Sequence, residues 1–420
     1  MSHEIPSLWA ATARPPLDLP RLTESGRADV LVIGAGVTGL SAALHLAESG
    51  ASVAVLEAQA PGHGGSGRNG GQVIPGLKED PDALDRVFGP AATAFAGSTA
   101  DVLFDVIARH RIACDAQRDG WIQASVKAAH LPGLEKRMAQ WAARGAPVGM
   151  LDAGAMARAT GSGAFRGGWI DRRAGRVHPL NYVTGLAEAA QRLGVRLFGR
   201  SPVTALGREG QLWRAGVAGG AGLRAPQVVI ATNAYSGGLW PRVRATIVAA
   251  NSFQVATDPL PPALLERVLP GRAVVSDSRR VANYFRIGPE NRLMMGGRGA
   301  FAEPRSAADF AQVEKALRWL FPEAAALGIA YRWAGRVGIT ADHRPHLHQP
   351  APGVTIAIGY NGRGLALGTA MGRALARHLA EGAPLPLPVQ PIRPLPFHGL
   401  QALYGAAAIA CYRLRDAAER

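Results

Sequence analysis

At 420 residues, 48% hydrophobic and 18% charged, the chain has the make-up of a globular protein with room for one large domain or two medium ones. Its formal charge of +15 is almost all arginine, because Lys78, Lys127, Lys136 and Lys315 are the four lysines, and the basic residues are scattered singly; nucleic-acid binding is therefore not expected. No run of 18 or more apolar residues occurs, which argues against stable membrane insertion, and the first residues lack a secretory core, which reads as a cytoplasmic start.

Val30 to Ile33 is a short continuous apolar run of the kind that forms a parallel strand buried on both faces. It runs into Gly34-Ala35-Gly36-Val37-Thr38-Gly39, the G-x-G-x-x-G spacing. The first glycine permits a tight turn, the second lets the backbone approach a pyrophosphate, and the third lets the following helix pack close to the strand. Leu40, Ala43, Leu44 and Ala47 recur at helical spacing, and Gly50 ends that helix. A second strand, Val53 to Leu56, leads to Glu57 and Ala58; a carboxylate at Glu57 accepts hydrogen bonds from ribose hydroxyls. Strand, glycines, helix, strand and acid arrive in order, so an ADP moiety is expected on the helix N-terminus.

Next comes GHGGSGRNGGQ, residues 62–72, a loop with too few side chains to bury itself, suited to running beside a second large part of the ligand. Residues 85–170 are largely helical by pattern, and 245–335 begin with strand-like alternation. Near the end, Val354 to Ile358 forms another buried strand, followed by Gly359-Tyr360-Asn361-Gly362-Arg363-Gly364 and a helix, which is a second anion site of strand–glycine–helix type. Cys114 and Cys411 match neither metal nor redox spacing, and His343, His346 and His348 lack an accompanying carboxylate cluster, so no metal is expected. No G-x-S-x-G elbow is present to suggest a hydrolase.

The segments GAGVTGL, VLEA, GSGRNGGQ, GRVHPLNYVTGLAEAA, VVIATNAY, NYFRIGPENRLMMGGR, WAGRVGITADHRP and GYNGRGLALGTAMGRALA, spread over about residues 28–385, resemble the D-amino-acid-oxidase-like FAD oxidoreductases, and among them the γ-glutamylputrescine oxidase branch. The resemblance implies an α/β fold, with a discontinuous Rossmann-like FAD-binding domain over 28–85, 171–244 and 336–385. It implies an α+β substrate domain on a mixed sheet over 86–170 and 245–335, an N-terminal extension over 1–27 and a tail helix over 386–420. It places the ADP half of FAD on Gly34, Gly36, Val37, Thr38, Gly39, Glu57 and Ala58. Gly65, Ser66, Gly67, Arg68, Asn69, Gly70, Gly71 and Gln72 would line the pyrophosphate and isoalloxazine ring. Val203 would meet adenine, Ala231 and Thr232 would lie beneath the ribityl chain, and Gly359, Asn361, Gly362 and Gly364 would form the turn at the flavin pyrimidine edge.

The implied activity is oxidation of a small-molecule primary or secondary amine, with a γ-glutamylated polyamine as the branch's substrate and O2 as acceptor. The alternatives are an amino-acid oxidase or dehydrogenase using another acceptor, and a non-catalytic flavin-bound subunit. A cysteine that attaches FAD in some members falls at Gly335, so the FAD is expected to be non-covalent. The arginine that holds an α-carboxylate in amino-acid-oxidising members falls at Val337, with Arg336 one residue away, which favours amines. Candidate substrate-side residues are Tyr284 and Arg286, which share a strand face by alternation, together with His178 and Tyr360.

Overall fold

The computed structural model describes residues 7–418, so residues 1–6 of the expected N-terminal extension lie outside it. The fold is α/β and is built on two large sheets. The first has six strands in the order His346–Ala351, Val354–Ile358, Gln227–Ile230, Val30–Ile33, Val53–Leu56, Arg196–Phe198. All are parallel except the first, which pairs antiparallel at the edge.

The continuous apolar runs predicted a sheet covered on both faces, and it is. Val30, Val32, Val53 and Val55 point to the helices Val37–Glu48, Pro179–Arg192 and Gly364–Glu381. Leu31, Ile33, Ala54 and Leu56 point the other way, onto Trp213, Ala215, Leu223 and Ala225 of an antiparallel meander, Val203–Glu209, Leu212–Val217 and Gly222–Ala225. This period-two division explains why no residue of these strands can be polar.

The second sheet has eight strands, in the order Ile329–Ile339, Val248–Pro259, Arg292–Arg298, Tyr284–Ile287, Val274–Asp277, Trp121–Ser125, Gly167–Asp171, Val148–Asp152. It is mixed: the pair Val274–Asp277 and Trp121–Ser125 is parallel and the others antiparallel. Phe253, Val255, Phe285 and Met295 bury one face against Val313, Leu317 and Leu320 of helix Ala311–Leu320.

Helix Pro90–His110 falls in the stretch grouped with the substrate domain by sequence. In the structure its Ala92, Ala96, Ala100, Leu103 and Val106 share the core of the first sheet's helices. Among the described residues it is the one helix long and apolar enough to cross a membrane, and half of its most apolar window is buried inside the protein. The tail helix Gln401–Ala418 returns to the second sheet, where Asp416 accepts hydrogen bonds from the backbone N–H groups of Arg280 and Val281 at 3.3 and 3.2 Å.

Helices Val37–Glu48 and Gly364–Glu381, which follow the two glycine turns, cross against each other. The Ser41 hydroxyl donates to the Thr369 carbonyl at 2.7 Å, and a Cβ at Gly372 would sit 2.6 Å from Ser41 Cβ and 2.7 Å from Thr38 O. Gly372→Ala should therefore destabilise the protein by about 1–3 kcal/mol through overpacking. Gly133→Ala, on a helix with open space around it, should stabilise by about 0.5–1 kcal/mol. Denaturant unfolding of both variants checks the pair, and equal stabilities would show that the crossing is not tight.

Candidate functional site

The carboxyl ends of strands Val30–Ile33, Val53–Leu56 and Gln227–Ile230 open onto a cavity of about 1010 Å³ whose opposite wall is the eight-stranded sheet. A ligand cavity at the carboxyl ends of a parallel sheet is the expected place in such folds.

At one end the sheet terminates in the first glycine turn. Gly34 has φ +105°, a conformation that an L side chain resists, and its N–H donates to Leu56 O at 2.9 Å. A Cβ at Gly36 would lie 2.8 Å from the Ser66 hydroxyl oxygen, which itself accepts the Val37 N–H at 3.1 Å. Helix Val37–Glu48 thus presents its N-terminal N–H groups where the backbone comes closest to the cavity. Glu57 Oε2 accepts the Ala35 N–H at 2.8 Å and Oε1 accepts the Gln59 N–H at 2.9 Å. These bonds aim the carboxylate into the cavity beside Ala58, Val203 and Thr204.

Along the middle run residues 65–72. The Asn69 side chain donates to Gly65 O at 3.1 Å and Ser66 O at 2.7 Å, and its Oδ1 accepts the Gly71 N–H at 2.8 Å. From the second sheet, Gln254 Nε2 and Trp333 Nε1 donate to Arg68 O at 2.6 and 3.0 Å. Trp9 Nε1 donates to Asn69 O at 2.7 Å. Tyr284 packs on Gly70, and Gly65 lies against the carbonyl of Arg336. Gly65, Ser66, Arg68, Asn69, Gly70 and Gln72 line the cavity; Gly67 and Gly71 turn away, towards Gly62 O and Val177 O.

Ala231 and Thr232 lie on the floor. At the far end Tyr360, Asn361, Gly362 and Gly364 line the wall at the N-terminus of helix Gly364–Glu381. Asn361 Oδ1 accepts the Thr340 N–H at 3.0 Å, while Gly359, set behind the wall, donates its N–H to Asn233 Oδ1 at 3.0 Å. Gly39 is also behind the wall, where it lets the helix approach Gly34 O.

Of the four substrate-side candidates, two face the cavity. The Tyr284 hydroxyl lies 2.6 Å from Ser252 Oγ, and burial pushes its phenol up to about 12, so it stays protonated. Tyr360 accepts a hydrogen bond from Thr38 Oγ1 at 2.8 Å, and burial raises its phenol as well.

Arg286 and His178 do not line the cavity, which corrects their expected role. Alternation does put Arg286 on the face of Tyr284, but its NH1 donates to Gly71 O and Val177 O, both at 2.9 Å. It is a strut beneath the glycine loop, with burial lowering its guanidinium to about 9. His178 Nδ1 accepts the Asn181 N–H at 3.2 Å as the cap of helix Pro179–Arg192, and its ring packs edge-on to Trp9. Burial lowers its imidazole to about 4, so the ring is neutral, and Nε2 lies 3.1 Å from Thr12 Oγ1.

On strand Ile329–Ile339, Trp333 and Gly335 face the Arg68 segment, and alternation puts Val337 on that side too. Arg336 is exposed and ion-paired to Glu303 at 2.7 Å. The cavity also takes in Lys78, Trp121, Gln123, Asn251, Ser252, Gln254 and Arg298, which sequence reasoning did not single out. For Lys78 there was a signal: a lysine in a chain that uses arginine almost everywhere.

A family model described as FAD dependent oxidoreductase matches residues 29–378. The chain belongs to that family. It is 31% identical over 99% of both chains to the Gamma-glutamylputrescine oxidoreductase of Escherichia coli K12. It is 33% identical to the Probable oxidoreductase OrdL of Haemophilus influenzae, over 85% of this chain and 84% of that one. Among solved structures, glycine oxidase from Geobacillus kaustophilus superposes with a TM-score of 0.73 at 21% identity, covering 88% of this chain and 99% of that one. L-proline dehydrogenase from P. horikoshii gives 0.73 at 18%, covering 88% and 96%. These two show the fold.

The cavity fits FAD: a glycine-only approach at Gly36, a backbone-held carboxylate at Glu57, and a glycine-lined trough leading to a second helix N-terminus. Glu57→Gln removes the charge that strengthens a ribose hydrogen bond and should weaken FAD binding about 10- to 100-fold. Equilibrium dialysis checks this, and an unchanged affinity would remove Glu57 from the site.

Proposed function

We propose that the chain oxidises a primary or secondary amine with dissociable FAD, and that a γ-glutamylated diamine such as γ-glutamylputrescine is the substrate. The observation that carries the reading is the end-to-end match to a protein named Gamma-glutamylputrescine oxidoreductase. Val337, in place of an arginine, on the strand face beside Arg68 supports an amine over an α-amino acid. Bound FAD would supply the two-electron acceptor for the amine, with O2 as the proposed final acceptor giving H2O2.

The chain's own part is positioning and exclusion of water. Gly34, Gly36, Val37, Thr38, Glu57 and Ala58 take the ADP half. Residues 65–72, with Ala231 and Thr232 below, hold the remainder in one register because Gln254, Trp333 and Trp9 fix that loop. Tyr284, kept protonated by burial, offers a hydroxyl at the sheet wall, where it fixes the orientation of a bound amine. Arg286 and His178 act through the loop and the helix they support.

Gly335 packs against Arg68 Cβ, and neither Cys114 nor Cys411 lines the cavity, which supports non-covalent attachment. Acid precipitation should release all the flavin into the supernatant, whereas yellow pellets would mean a covalent bond. Anaerobic γ-glutamylputrescine should bleach the oxidised flavin band, and readmitted O2 should restore it with peroxide formed. Bleaching only by amino acids would move the activity to that class; bleaching by no amine or amino acid would indicate a non-catalytic subunit.

A further inference from the structure

Two cations on the cavity wall have no hydrogen-bond or ion-pair partner for their side chains among the described residues: Lys78 and Arg298. Carboxylates of these segments pair with other cations: Glu79 through Oε1 with Arg344 at 2.5 Å, its buried Oε2 making no hydrogen bond, Asp80 with Arg137 at 2.5 Å, Asp171 with Arg173 at 2.6 Å, and Asp277 with Arg279. The charges that act on Lys78 are those of Arg363, whose NH1 donates to Pro75 O at 2.5 Å, then Arg137 and Arg298, and the titratable group that acts on Arg298 is Tyr412 of the tail helix.

Lys78 has an accessible side chain that lines the cavity. Burial, reinforced by Arg363, Arg137 and Arg298, lowers its ammonium to about 8, and burial lowers Arg298 also. Like charges that share a cavity wall repel unless an anion sits between them. The neighbouring wall belongs to the eight-stranded sheet: Arg363 stacks over Trp121, Arg137 reaches Gln123, and Arg298 ends the strand beside Ser252.

We propose that Lys78 and Arg298 form an anion subsite that holds a carboxylate carried by the amine substrate, away from the reacting carbon. The inference rests on the amine-oxidising reading and narrows it to amines bearing a remote carboxylate, as a γ-glutamyl group does. A guanidinium fork with a neighbouring ammonium suits a carboxylate. A neutral alkylamine would leave both cations without a counter-charge.

The test is calorimetric titration of the purified holoenzyme with glutarate, and with uncharged glutaramide as control, followed by the same titrations on Lys78→Met, Arg298→Gln and the surface variant Lys136→Met. Glutarate should bind the wild type, and glutaramide should not. Lys78→Met and Arg298→Gln should each weaken glutarate about 10- to 100-fold, and Lys136→Met should not change it. Because a bound carboxylate favours the protonated amine, wild-type affinity should hold below about pH 8 and fall above it, a fall that Lys78→Met should abolish. No glutarate binding to the wild type, equal binding by all variants, or equal binding of glutaramide would overturn the subsite. So would a Lys78→Met variant with an altered flavin potential and unaltered glutarate affinity, because the cation would then serve the cofactor. A preparation that takes up no FAD yet shows the predicted glutarate pattern would overturn the amine-oxidising reading and leave the subsite standing.

Discussion

The joint on which the structure depends is the pinning of residues 65–72 between the two sheets. A stretch with so few side chains has no core of its own, and glycine loses more conformational freedom on folding than any other residue. It is ordered from outside. Gln254 and Trp333 hold Arg68 O from the second sheet, Arg286 holds Gly71 O, and Trp9 holds Asn69 O from the N-terminal segment. Asn69 then ties the loop to itself. Backbone carbonyls are turned outward to these donors, so the small residues are left lining the cavity.

This arrangement explains two residues that look chemical and are structural. A buried arginine satisfied by main-chain carbonyls and a buried histidine capping a helix are both hydrogen-bonded behind the cavity wall. Their lowered pKa values follow from burial, which penalises the charged form wherever a group is enclosed. A perturbed pKa close to a site is therefore weaker testimony than the direction in which the side chain points. Tyr284, two residues from Arg286 on the same strand face, does line the cavity.

Where sequence patterns are local, they carried to the structure directly. Val30 to Glu57 became strand, turn, helix, strand and backbone-held acid because each step is dictated by burial or by glycine within a few residues. The resemblance supplied a mixed sheet over 86–170 and 245–335, but the residues alone showed only alternation in 245–335, since the sheet's parallel pair joins Trp121–Ser125 to Val274–Asp277 across about 150 residues. Helix Pro90–His110 shows what an apolar stripe leaves open: it says that a helix is buried, not against which core. Alternation likewise told which face Arg286 shares and not how far along that face the cavity extends. Lys78, marked only by composition, and Arg298 carry no local pattern, and that both line one cavity depends on how distant segments pack.

Both glycine turns, one near each end of the chain, contribute to a single cavity, where they would grip opposite halves of one dinucleotide. Fluorescence titration of flavin-free protein with FAD and, separately, with FMN tests this most directly, because FMN lacks the adenosine half that Gly36 and Glu57 would hold. Saturable one-to-one binding of FAD, with FMN bound far more weakly, is the expected result. Equal affinity for the two flavins, or no uptake of FAD by folded protein, would contradict it.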